Sequence, residues 1–239
     1  MGRSSHLILA LALMCRMGIS ETPSNGSPGF LPLRVLLFNY APGYSPKTIT
    51  GAQAIASQIF HRDGIELSWV DCSLLQDGTS ASLGCTAPFE PTTIILRLVP
   101  TSPATKLRFG RDTLGIAAQA EEGTFASASV FHDRIDQLAK GWLVPSAVVL
   151  GHAMAHEVGH LLLGARSHSP SGLMRERWSR RDLTKAGEGN LRFNSRQAET
   201  IRAQVRERPQ SRESDISRAP LQSPKHSNDP IFPGISRSR

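Results

Sequence analysis

Apolar residues recur along this chain at two different periods, and the switches between them mark out the elements. Ile49, Ala52, Ile55, Ala56, Ile59 and Phe60 fall at helical spacing and predict a helix over 47–61, ended by Gly64. It lies between two β-rich runs, RVLLFNYA at Arg34–Ala41 and IELSWVDC at Ile65–Cys72, the second placing Leu67 and Trp69 on one face. TTIILRLV, Thr92–Val99, is apolar almost without interruption, which predicts a strand buried on both faces. Thr113–Ala120 and Thr124–Phe131, separated by the turn-forming EEG, are less apolar and predict strands at an edge of the sheet, one face of it open to a ligand. HDRIDQLAKG reads as a short helix stopped by Gly141. Pro145 then opens a long helix through PSAVVLGHAMAHEVGHLLLG, which Gly164 ends by a left-handed turn. Beyond Met174 come a loop or short helix and a last helix, NSRQAETIRAQVRER, capped by Asn194 or Ser195. The order predicts an α/β (α+β) fold: a twisted mixed sheet backed by helices, the long helix across it, and a small irregular C-terminal part closing a cleft.

A length of 239 residues suits one full domain, expected over 34–208. Before it, residues 1–20 carry a basic start at Arg3, an apolar run from Leu7 to Cys15 and small residues ending at Ser20, the outline of a signal peptide. That run is too short to span a bilayer, for which about 20 residues are needed, so no membrane anchor is expected. The two remaining cysteines, Cys72 and Cys85, flank a Gly/Ser-rich loop; in an exported chain they read as a disulfide, and leader and bridge together place the protein in a secreted or periplasmic compartment. The formal charge of +7 is unevenly placed: residues 21–174 hold 10 basic and 12 acidic groups, whereas residues 175–208 hold 10 against 5. This positive excess reads as a solvated face. The tail, 209–239, is rich in Ser, Pro and Arg and is expected to be disordered; with Phe232 its one Phe, Tyr or Trp, it lacks a series of stacking residues among its charges, and no nucleic-acid partner is expected.

Four of the eight histidines lie between His152 and His168. On a helix, His156 and His160 stand one turn apart on one face, so both imidazoles can reach a single ion. Glu157 lies next round the helix, where a carboxylate can deprotonate a metal-activated water. Gly151, Ala155 and Gly159 repeat every four residues and form a small-residue groove expected to pack on the sheet. Zinc needs a third protein ligand and an open fourth position. His168 can return to the ion after a turn at Gly164; the rival is a carboxylate further along, Glu176, Glu188 or Glu199. His152, one turn before His156, reads as a residue behind the ligands or in the cleft.

The stretch AHEVGHLLLGARSHSPSGLM resembles the metzincin zinc metallopeptidases, whose pattern is H-E-x-x-H-x-x-G-x-x-H followed by a methionine turn. Here the spacing is H-E-x-x-H-x-x-x-G-x-x-x-H, with one extra residue before Gly164 and one before the last histidine, and Arg166 standing where the usual third ligand would be. The resemblance implies a zincin fold, one zinc ion per chain held by His156, His160 and His168, Glu157 as general base and acid, and Met174 beneath the metal. It implies a metalloendopeptidase acting on peptide or protein substrates. A tyrosine near the metal, present in some metzincins, is not carried over, because Tyr40 and Tyr44 both lie far upstream. The alternative is a zinc-binding or surface-binding protein that keeps the fold without hydrolysis; Glu157 argues against it, since metal binding alone needs only the histidines.

Overall fold

The computed structural model describes residues 29–41, 43–73, 85, 92–102, 110, 113–118 and 126–218, with side chains described as far as Arg208. The expected leader and residues 219–239 of the expected tail lie outside these. The elements are β1 (Leu31–Asn39), α1 (Pro46–Arg62), β2 (Ile65–Asp71), β3 (Thr93–Val99), β4 (Gly115–Ala118), β5 (Ser127–Phe131), α2 (His132–Trp142), α3 (Ser146–Leu163), α4 (Arg180–Gly187) and α5 (Ser195–Arg218). α5 continues past the boundary expected at 208. No helix among the described residues is long and apolar enough to cross a membrane.

The strands form one mixed sheet in the order β2-β1-β3-β5-β4. β1 pairs in parallel with β2 and β3, β3 in parallel with β5, and β4 antiparallel with β5. β1 begins three residues earlier than its apolar run, and includes Pro32. A proline has no N–H for a ladder, but β3 joins β1 only from Arg34 onward, so at Pro32 the strand has a single neighbour, β2. Two expectations about the strands are corrected. Of the two strands expected at an edge, β5 is interior and β4 alone is an edge strand, because residues 127–130 pair on both sides. β3 is not buried evenly on both faces: Ile94, Leu96 and Leu98 enter the core, while Ile95, Arg97 and Val99 are half-buried.

One core joins the sheet to the helices. Leu33, Val35 and Leu37 of β1 meet Ala52, Ala56, Ile59 and Phe60 of α1, and Leu150, Met154 and Val158 of α3, with Ile201 and Val205 of α5. α3 is apolar nearly all round, as a helix covered on most sides must be. The expected small-residue groove on α3 exists but does not face the sheet. A Cβ on Gly151 would stand 2.7 Å from the Ala52 carbonyl oxygen of α1, and one on Gly159 would stand 2.8 Å from the Met174 sulfur and the Phe193 ring. Gly151 thus seats α1, and Gly159 seats the C-terminal segment. α5 holds the far end of α3, where Arg208 donates to the Leu161 carbonyl at 3.2 Å, one of the last-turn carbonyls a helix leaves unpaired. Cys72 and Cys85 are joined by a disulfide, as expected.

Candidate metal centre

α3 delivers three of the site residues by its own period. His156, Glu157 and His160 are all buried, and all line one cleft of about 1090 Å³. The His156 Nδ1 lies 2.8 Å from the Leu173 carbonyl oxygen. A carbonyl can only accept, so Nδ1 carries the proton and Nε2 presents its lone pair to the cleft. His160 is held the same way, its Nδ1 3.0 Å from the Ser167 hydroxyl and 3.4 Å from the Gly164 carbonyl.

His168 arrives from a loop. Gly164 ends α3 with φ 99° and ψ 160°. The expectation was a left-handed turn, but that ψ is extended, a combination open in practice to glycine alone. This conformation redirects the chain, so the additional helical residue does not carry His168 away. The loop is then fastened to the turn at 173–174: the Ser169 N–H donates to the Met174 carbonyl at 2.9 Å, and the Leu173 N–H donates to the Arg192 carbonyl at 2.8 Å. The exposed imidazole of His168 ends with its Nε2 3.1 Å from the His160 Nε2, which is itself 3.0 Å from the His156 Nε2.

These separations test the fit to a metal. Two imidazole nitrogens bound tetrahedrally to zinc at 2.0–2.1 Å stand about 3.3 Å apart, close to both distances found. Inward-facing lone pairs at 3.0 Å repel unless a proton or a cation lies between them. A proton is disfavoured, since burial pushes the His156 imidazole down to about 3, assisted by its histidine neighbours and opposed by the Leu173 hydrogen bond. Burial likewise lowers His160. Three imidazole nitrogens converging on one point are a donor set that fits a zinc-like cation. Among the described residues no carboxylate joins this group. Of the rivals to His168, Glu176 lines the cleft, while Glu188 and Glu199 are exposed elsewhere.

Glu157 sits against the edge strand. A Cβ on Gly115 would fall 2.6 Å from its Cδ and Oε1, so the carboxylate occupies the space that any larger residue at 115 would fill. Burial pushes its pKa up to about 8. Met174 is fully buried and packs at Gly159, on the same turn whose Leu173 carbonyl orients His156.

His152 does not line the cleft: it is buried, and its Nδ1 meets the Val148 carbonyl at 2.8 Å. Between it and the site stands Trp178, edge-on to both His152 and His156 and donating its indole N–H to the same Leu173 carbonyl at 3.1 Å. Trp178, Ser167 and Gly115 were not singled out from the sequence. Ser167 had only its place beside His168 as a signal, and Gly115 had none. Tyr44 donates to the His132 carbonyl at 3.2 Å and Tyr40 is exposed; neither lines the cleft.

No protein-family model matches the chain, and no curated protein matches it. Among solved structures it is similar to archaemetzincin from Methanopyrus kandleri, at 13% identity over 77% of this chain and 99% of that one, with a TM-score of 0.44. It is also similar to metalloproteinase-II from Bacteroides fragilis, at 14% identity over 76% of this chain and 55% of that one, with a TM-score of 0.42. At these values the functional reading rests on the geometry of the site itself.

Proposed function

We propose that this chain is a zinc-dependent endopeptidase of metzincin type that works outside the cytoplasm. The observation that carries the reading is the meeting of three Nε2 atoms beside a buried carboxylate in an open cleft. In it His156, His160 and His168 hold one zinc ion, with Met174 packed beneath them. Bound there, zinc supplies Lewis acidity that polarises a peptide carbonyl and lowers the pKa of water toward 7. Glu157, seated on Gly115, takes the proton of the attacking water on its carboxylate and returns it to the nitrogen of the departing amine. The Leu173 carbonyl at His156 and the Gly164 carbonyl at His160 keep these imidazoles in the tautomer that offers Nε2.

The substrate form follows from β4. This strand pairs only with β5 among the described residues, and it lines the cleft from Gly115 to Ala118, so its other edge can hydrogen-bond an extended peptide alongside Glu157. The Cys72–Cys85 disulfide supports an oxidising compartment.

The test is Glu157→Gln. It keeps the side chain's size and leaves the three histidines in place, so zinc content and folding stay at the parent's level. Hydrolysis of a mixed peptide library falls by at least about 10²-fold, the low end of what a positioned general base contributes. A zinc-loaded parent that cleaves nothing would favour the non-catalytic zinc-binding protein, and a Gln variant as fast as the parent would remove Glu157 from the mechanism.

A further inference from the structure

The lining of the cleft is mixed. Arg175, Glu176 and Arg177 contribute to it, and α2 turns Arg134, Gln137, Leu138 and Trp142 to it, while Ile135 and Ala139 on another face enter the core. The Arg134 guanidinium donates to the Gly110 and Thr113 carbonyls at 2.8 and 2.6 Å. Leu138 and Trp142, with Leu114 and Ala153, are the apolar part of this lining. Trp142 is 45% exposed, although an indole gains from burial. Leu143 beside it is 93% exposed and held at φ 55°, a conformation branched side chains avoid. Exposed large apolar residues are scarce among the described residues, so Trp142, which lines the cleft, marks a place where something apolar is received.

We propose that this apolar part of the lining is a specificity subsite for a large apolar side chain of a peptide substrate, with Trp142 as its principal contact. The inference rests on the peptidase reading, and the occupant follows from continuity: the same cleft that holds Leu138 and Trp142 holds His156, Glu157 and His160.

The experiment uses the full zinc-loaded chain carrying Glu157→Gln, so that peptides bind without turnover. The probes are fluorescently labelled, end-capped Gly/Ser decapeptides in which one Phe is moved through each position, and affinity is read by fluorescence anisotropy. Phe within one window of positions tightens binding at least about tenfold over the all-Gly/Ser peptide, as expected for burial of an aromatic ring. Adding Trp142→Ala removes that gain with zinc content unchanged, and Trp142→Phe retains most of it. Equal affinity at every Phe position, or a gain that survives Trp142→Ala, overturns the proposal. Hydrolysis by the parent separates this from the peptidase reading. A parent that binds the Phe peptides through Trp142 and cleaves none keeps the subsite and loses the peptidase, whereas one that cleaves peptides with no positional preference does the reverse.

Discussion

The two sources of the metal centre are held together in different ways. His156, Glu157 and His160 stand where the covalent period of α3 puts them, on a helix covered by α1, α5 and the sheet. His168 stands where a glycine bend and two backbone hydrogen bonds put it, exposed, on a segment with little core beneath it. The helix-borne half needs no partner to keep its two imidazoles a turn apart; the loop-borne half needs Gly164, the 173–174 turn and the Arg192 carbonyl to arrive at all. The lesson is that the two additional residues, one in the last turn of α3 and one in the loop, are accommodated because both follow His160, where tertiary contacts set the path of the chain, whereas one between His156 and His160 would rotate the second imidazole away from the first by about 100°.

The comparison can be broken most severely at Gly115, which serves the helix-borne half from outside the helix. In Gly115→Ala the new methyl meets the end of the Glu157 side chain, the part able to move, so the protein folds and binds zinc nearly as before while the carboxylate is displaced. A displacement of about 1 Å at a catalytic group can cost about 10²-fold; peptide hydrolysis at unchanged zinc content reads it. Next come the two seats on α3. Gly151→Ala drives a methyl into the Ala52 backbone oxygen, which cannot yield locally, and destabilises by about 2–3 kcal/mol. Gly159→Ala meets the flexible Met174 sulfur and the Phe193 ring edge, and costs about 1 kcal/mol, partly offset by the better helix propensity of Ala. Urea denaturation of the two variants orders them.

The smallest effect sharpens the loop side. Asp182 closes a capping box with Ser179 and pairs with Arg175 at 2.9 Å, which ties α4 to the segment following the 173–174 turn. Burial alone would raise its pKa, but the Ser179 hydrogen bonds and Arg175 outweigh it and hold the carboxyl below its usual range. A depressed folded-state pKa gives stability that is present above the unfolded value and lost as pH falls through the folded one. Asp182→Asn therefore costs about 1 kcal/mol near pH 7, as loss of a capping interaction does. The gap between variant and parent closes as pH drops below the ordinary Asp value, which denaturation curves across pH 2–7 would show.

Period and composition made the elements legible: the helix expected over 47–61 is Pro46–Arg62, and the one opened by Pro145 is Ser146–Leu163. His156, Glu157 and His160 were legible for the same reason, since helical spacing is local. Strand order was not. That β5 lies inside the sheet and β4 at its edge depends on pairing between residues far apart in sequence, and the weak apolarity of 124–131 pointed to the edge instead. Gly115 illustrates the limit: nothing at position 115 signals that a carboxylate from residue 157 rests on it. α4 left a trace, the Ser179 to Asp182 spacing of a capping box, in a stretch read as a loop or short helix.

The most direct measurement is the zinc content of the purified chain, by mass spectrometry of the metal, for the parent, His168→Ala and Glu176→Ala. The account predicts about one zinc per chain in the parent and in Glu176→Ala, and binding weaker by orders of magnitude in His168→Ala. Zinc retained without His168 and released by Glu176→Ala would contradict it, because the third ligand would then be a carboxylate and the loop that Gly164 redirects would have no part in the site.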